Sequence, residues 1–394
     1  MNDRAALELL LEHGPLSRTR LGRLTGLSKP TASQLLARLE AAGLVVATGT
    51  SEGRPGPAAQ LYAVNGRAAH AAALDVTPRR ILAAVADLAG RTVGTYELPT
   101  PGRRAGSVVR QVTDALDGAV KAAGLTRDEV RRLVVGTPGA FDPNTGRLRY
   151  ASHLPGWHSP ELLDRLAAAL PVPVAYENDV NLVALAEQRF GAARGHRDFV
   201  LFWSDEGLGA ALVLGGRLHR GFTGGAGEVG FLPVPGAPLV RHVAQTGSGG
   251  FQELAGAQAV AGLARELGIG GVPSGRPAEV AAALLARAAA ADTAPDAGAA
   301  AEPYRRLLDA CAAGLATGLA ALVAVVDPEL VVLAGGVPAA GGEPLLGRVR
   351  AELLELAAAR PRLVPAAVSG PPVLRGALER ALAATRDEVF DTTR

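Results

Sequence analysis

The chain has 394 residues, 48% of them hydrophobic and 20% charged, with a formal net charge of +2. That composition fits two or three packed domains and excludes wholesale disorder, and so small a charge does not by itself mark a nucleic-acid binder. Cys311 is the single cysteine. It leaves no internal disulfide or cysteine-rich zinc site, and a reducing cytoplasm is the expected location.

The opening MNDRAALELLLEHG carries acids among its leucines and does not read as a signal peptide. Leu7, Leu10 and Leu11 give Ala5–His13 a helical spacing, which Gly14-Pro15 ends. Ser17 is placed to cap a second helix carrying Leu21 and Leu24. After the turn Thr25-Gly26-Leu27, Ser28 caps a third helix, with Pro30 tolerated in its first turn. Ala32, Leu35, Leu36 and Leu39 form one apolar stripe on that helix, which Gly43 ends. A strand over 44–47, the loop GTSEGRPGPAA and a second strand Gln60–Val64 form a hairpin with a long tip.

Helix, turn, helix and hairpin in this order make a winged helix-turn-helix, assigned to residues 1–66. Local charge supports a DNA role. Arg18, Arg20, Arg23, Lys29, Arg38 and Arg54 face only Glu40 and Glu52 between Ser17 and Arg54, and the rest of the chain is nearly balanced. Such an excess releases counterions from phosphates. In the major-groove geometry, Ser28, Lys29, Thr31, Ser33, Gln34 and Arg38 of the third helix face bases and phosphates. Arg54 at the wing tip suits a minor-groove or phosphate contact.

Residues 65–70 read as a joint. Strands are expected at 71–76 and 81–87, then from Gly90 through Val93, with a helix over 107–123 and a strand at 133–135. A helix after Ser159, a strand at 172–176 and a helix from Val180 continue the alternation, and a second such half starts at Phe199. This is an α/β pattern with a mixed sheet. The stretch 270–302 is low in complexity, with a helix near 278–291 and a mobile loop after it. The apolar run 310–326, closed by Asp327-Pro328, reads as a buried helix rather than a membrane span.

Four segments in order, VVGTPGAFDPNTGRLRYASHLPGW (134–157), ENDVNLVALAE (177–187), GLGAALVLGGRLHRGFTGGAGEVGFLPV (207–234) and DPELVVLAGGV (327–337), resemble the ROK family of repressors and sugar kinases. The resemblance implies an actin-like, hexokinase-like fold of two lobes around a cleft, here 67–394 with lobes near 67–180 and 181–394. It also implies that an N-terminal winged helix marks a regulator. ROK kinases begin with a D-x-G-G-T phosphate loop; the matching stretch here is Asp75-Val76-Thr77-Pro78, without glycines and with no N–H at Pro78. The second loop, G-T-G-x-G in the family, is Asp205-Glu206-Gly207-Leu208-Gly209, so carboxylates stand where phosphate oxygens belong. Gly335-Gly336 match the family's adenosine side.

The family's zinc motif aligns with 244–253, where Ala244, Thr246 and Phe251 replace three cysteines; its histidine is Phe231. No thiolate or imidazole ligand remains, so no metal is expected, and Phe231 packing on Phe251 is expected in its place. The resemblance carries sugar-hydroxyl binding onto Asn178, Asp179, Glu228 and Glu253. Loss of the histidine removes one hydroxyl contact.

The expectation is a DNA-binding regulator, a repressor, that uses no cofactor. Its partners are double-stranded operator DNA and a sugar or sugar-derivative effector, and it forms a homodimer or homotetramer. Two alternatives stay open: an active sugar kinase with a DNA-binding appendage, and a ligand-free regulator under a protein partner's control.

Overall fold

A computed structural model describes residues 2–50, 59–100, 108–142, 144–149, 154, 156, 157, 159, 161–241, 249–294 and 298–391. The N-terminal module is built from α1 (Asn2–His13), β1 (Leu16–Ser17), α2 (Arg18–Thr25), α3 (Lys29–Ala41), β2 (Val45–Thr50) and β3 (Gln60–Val64). Both expected caps form: Ser17 accepts from the Arg20 N–H and Ser28 from the Thr31 N–H. Gly26 closes α2 at φ 70°, a left-handed conformation that costs glycine little. The stripe Ala32, Leu35, Leu36 and Leu39 is buried as its spacing predicts. The strands pair antiparallel in the order β1-β3-β2. Arg54 and the rest of 51–58 lie outside the described residues.

The strands β4 (His70–Val76), β5 (Arg80–Asp87) and β6 (Thr92–Pro99) follow, then α4 (Val108–Ala122), β7 (Val130–Thr137), the short β8 (Ala140–Asp142) and β9 (Arg147–Arg149), α5 (Leu162–Ala169), β10 (Val174–Asn178) and α6 (Asp179–Phe190). The second half holds β11 (Phe199–Ser204), β12 (Leu208–Leu214), β13 (Arg217–His219), α7 (Gly250–Ala255), α8 (Ala257–Glu266), α9 (Pro277–Thr293), α10 (Glu302–Val326), β14 (Leu330–Ala334), α11 (Gly336–Leu356), β15 (Arg362–Pro365) and α12 (Pro372–Asp391). Ser107, where the helix over 107–123 was expected to begin, and 295–297 of the low-complexity stretch lie outside the described residues.

The two five-stranded sheets share one plan. Their orders are β10-β7-β4-β5-β6 and β13-β12-β11-β14-β15. In each, three strands form an antiparallel meander, and the first of them also pairs in parallel with a strand from the following βα segment, β4 with β7 and β11 with β14. This is the mixed α/β sheet expected from the alternation.

Contacts divide the chain into two units. Unit 1 holds residues 1–137, 154–177 and 377–394; unit 2 holds 138–153 and 178–376. In unit 1 the core of the winged helix, including Leu7, Leu10, Leu36 and Tyr62, continues into Leu88 and Phe390. In unit 2, α10 is long and apolar enough to cross a membrane, yet its Leu307, Leu308, Ala312, Leu315, Leu319 and Val323 are buried in the hydrophobic core beside β11 and β14.

Candidate functional site

The candidate reading face is that of α2 and α3. Their crossing is close: a Cβ at Gly22 would lie 3.2 Å from the Leu27 carbonyl and 3.5 Å from Ala32 Cβ. Lys29, Thr31, Gln34 and Arg38 are exposed on α3, and Ser33 is half-buried. Two of these are already engaged. The Thr31 hydroxyl lies 2.8 Å from that of the capping Ser28, and Arg38 forms a bidentate pair with Asp3 of α1 at 3.0 and 2.5 Å. On α2, Arg18 donates to the Tyr62 hydroxyl and stacks over its ring. Arg20 and Arg23 are exposed, and among the described residues no acid pairs with them or with Lys29.

The second candidate site lies in unit 2. Asn178 caps α6: its Oδ1 accepts from the Asn181 N–H at 3.0 Å, while its Nδ2 donates to the Gly139 carbonyl at 3.2 Å. Asp179 takes the first helical position, where the helix dipole favours a carboxylate.

Strand β12 brings the remaining acids to Asp179. The Leu208 N–H donates to Gln252 Oε1 at 2.8 Å. A Cβ at Gly209 would stand 3.0 Å from Val180 Cγ2. The Ala210 N–H donates to the Gly227 carbonyl at 2.8 Å. Gln252, Val180 and Gly227 are the chain neighbours of Glu253, Asp179 and Glu228, so three consecutive residues of β12 contact a neighbour of each of the three carboxylates. The Oε2 of Glu253 is buried, and no donor among the described residues reaches it. Burial pushes the Glu228 carboxyl up to about 7. A set of half-buried carboxylates with an unsatisfied acceptor suits a ligand that donates several hydroxyl protons.

Glu228 also sets a pH signature. Its folded pKa is raised, so it adds stability that is full below the ordinary carboxylate range and is lost as pH rises through about 7. The loss should be on the order of 3 kcal/mol. Urea unfolding of wild type and Glu228→Gln between pH 4.5 and 8 should show the wild type losing stability relative to the variant. Parallel curves would remove the titration from this residue.

The phosphate-loop positions are closed by the chain itself. Between β4 and β5 the Thr77 N–H donates to the Arg80 carbonyl at 2.9 Å and the Arg80 N–H to Thr77 Oγ1 at 3.2 Å. Asp75 is buried with Arg80 3.6 Å away; burial raises its carboxyl above the usual range and Arg80 opposes this. In unit 2, the Asp205 carboxylate lies beside Gly336, the first residue of α11, where a Cβ would stand 3.7 Å from its Oδ2, and the Gly336 N–H favours its charged form. A Cβ at Gly335 would fall 2.1 Å from the Ser204 carbonyl, so a glycine is required there. Burial and neighbouring Glu206 raise the Asp205 carboxyl above its ordinary range. Arg276 pairs with Glu206 at 2.8 Å and with Glu279 at 2.6 Å. A helix N-terminus suited to an anion is thus filled by a side chain.

At the zinc-motif position Ala244 and Thr246 lie outside the described residues. Phe251 is fully buried with its ring 5.6 Å from that of Phe202, and a Cβ at Gly318 would come within 2.1 Å of it. Its ring thus pairs with that of Phe202. Among the described residues no group of three or more His, Cys, Asp or Glu could hold a metal ion.

Residues 71–377 match the model of the ROK family, and 3–54 match that of the MarR family. A glucokinase from Halalkalibacterium halodurans is 30% identical over 276 residues, 68% of this chain and 80% of that protein. A putative xylose repressor from Caldicellulosiruptor sp. is 27% identical over 236 residues, 59% of each chain. The crystal structure of a ROK family transcriptional regulator, a homolog of the E. coli MLC protein, shares the fold: TM-score 0.73 at 20% identity, covering 100% of this chain and 98% of the other.

Proposed function

The chain belongs to the ROK family and carries a MarR-type winged helix at its N-terminus, and from that premise we propose that it is a sugar-responsive transcriptional repressor without kinase activity. The winged helix binds operator DNA as part of a two-fold dimer. Asn178, Asp179, Glu228 and Glu253 hold a sugar or sugar derivative, and no nucleotide or metal takes part. The observation that carries the ligand reading is the gathering of Asp179, Glu228 and Glu253 around Leu208-Gly209-Ala210, with the buried Glu253 Oε2 lacking a donor among the described residues. The xylose repressor relative supports the regulator, and the xylose repressor and glucokinase relatives together support a pentose- or hexose-sized ligand. The same glucokinase favours a second reading, an active kinase; the closed turn at Thr77 and the Asp205 carboxylate at Gly336 argue against it.

An operator titration with and without D-glucose or D-xylose tests the reading. A ligand-linked change of about 5- to 150-fold in operator affinity is expected. Asp179→Ala should abolish it while ligand-free operator binding stays within about twofold of wild type, since Asp179 lies on α6 and not on the α2–α3 face. Wild-type affinity unmoved by either saturating sugar would favour control by a protein partner.

A further inference from the structure

We propose that α12 is the relay that couples the ligand-binding helix α6 to the DNA-reading head. This rests on the reading that Asn178 and Asp179 hold the ligand, and it names the element that carries their state.

The helix α12 is continuous from Pro372 to Asp391, and it begins among residues of unit 2 and ends among residues of unit 1. Its first turn is seated directly on α6. A Cβ at Gly376 would fall 1.8 Å from the Leu182 carbonyl oxygen, so backbone meets backbone there with no room for a side chain. Leu182 is in the same helical turn as Asp179. One turn further along α12, Arg380 donates to the Tyr176 carbonyl at 3.2 Å and pairs with the buried Glu177 carboxylate. Tyr176 and Glu177 immediately precede Asn178-Asp179.

The other end of α12 reaches the head. Just before it, Arg386 donates to the Leu88 carbonyl, just past the end of β5, at 3.2 and 3.1 Å. Asp387 pairs with Arg4 of α1, and Asp391 lies 3.7 Å from the same guanidinium. Phe390 is buried in the core that holds Leu7, Leu10 and Leu36. One helix therefore grips the ligand-bearing segment 176–182 at its start and the first helix of the reading head at its end.

A helix of this length spans about 30 Å and resists bending. Packed contacts without free volume switch between discrete arrangements rather than deform smoothly. A ligand that draws in Asp179 moves the seat under Gly376. That displacement reaches Phe390 along a rigid rod, and in a dimer it changes the spacing of the two recognition helices.

The test is an operator titration of the full chain, wild type, Gly376→Ala and Gly318→Ala, each without sugar and with D-glucose or D-xylose. Gly318→Ala is the control: it crowds the buried Phe251 ring in unit 2, with atoms of that ring as the nearest neighbours of the new Cβ. Gly376→Ala should change ligand-free operator affinity by at least about fivefold, the lower end of ordinary allosteric coupling, while Gly318→Ala stays within about twofold. Where Gly376→Ala does not fold, Arg380→Lys takes its place, because an ammonium cannot reproduce the guanidinium's simultaneous hold on Tyr176 and Glu177. An operator affinity within about twofold of wild type in the folded relay variant, or a wild-type sugar response surviving in it undiminished, overturns the relay. A wild type that ignores both sugars while Gly376→Ala shifts operator binding instead overturns the sensor reading and leaves the relay standing.

Discussion

Raising the salt from about 50 to about 200 mM should weaken binding of this protein to its operator about a thousandfold. The figure follows from a count of cations. Arg20, Arg23 and Lys29 are exposed and have no acidic partner among the described residues, whereas Arg18 is held by Tyr62 and Arg38 by Asp3. Two heads in a two-fold dimer then bring about six cations to phosphates, and each neutralised phosphate contributes about 0.9 to the slope of log affinity against log salt. Lys29→Ala should lower the slope by about one unit per head and weaken all sequences alike. Gln34→Ala should instead leave the slope unchanged and relax base choice at one position per half-site, a loss of about 1–3 kcal/mol of discrimination. The operator should be a pseudo-palindrome with half-sites one helical turn apart or a multiple of it. Equilibrium binding over a salt series, with footprinting on the best sequence, decides the matter. A salt-independent affinity, or a single asymmetric half-site, contradicts the dimeric head.

Arg38 shows where sequence stops. Its place on α3 put it among the DNA-facing residues, yet nothing in the local sequence announces that Asp3, on another helix, takes its guanidinium. The stripe on α3 and the strand Gln60–Val64 were legible because burial imposes a period that short windows reveal. β6 was only half legible. It runs to Pro99, but as the edge strand it exposes Thr95, Tyr96 and Glu97, and past Val93 the apolar signal fades. The three-residue strands Arg147–Arg149 and Arg217–His219 give no periodic signal at all.

The four residues proposed to hold a ligand came from a resemblance; what sequence could not supply was β12 as the strip that contacts the neighbours of Asp179, Glu228 and Glu253. Phe251 similarly found its partners in Phe202 and Gly318, both far from it in the chain. Such pairings are fixed by the close packing of distant segments, which leaves no trace in local composition.

Asp205 is the sharpest case, because two glycines at 335–336 and an acid some 130 residues earlier look unrelated until Gly336 is found beside that carboxylate. The consequence for nucleotide is large. A phosphate oxygen brought to about 5 Å from this carboxylate meets a repulsion of roughly 3 kcal/mol at an effective dielectric near 20, more than a hundredfold in affinity. Glu206 is adjacent, but Arg276 partly neutralises it. Wild type should therefore show no sugar phosphorylation in a coupled assay over a broad sugar panel. The double variant Asp205→Gly/Glu206→Thr removes both charges beside the start of α11, and should bind a non-hydrolysable ATP analogue with magnesium at least about a hundredfold more tightly than wild type. Turnover should still be absent in that variant. At the first loop the Thr77 and Arg80 N–H groups remain spent on each other's residues, and Pro78 has none to give. Calorimetric titration of both proteins, with the coupled assay alongside, separates the two loops. Wild-type turnover above about 1 s⁻¹, within the usual kinase range, would refute the loss of activity, and an unchanged nucleotide affinity in the double variant would show that Asp205 is not what keeps phosphate out.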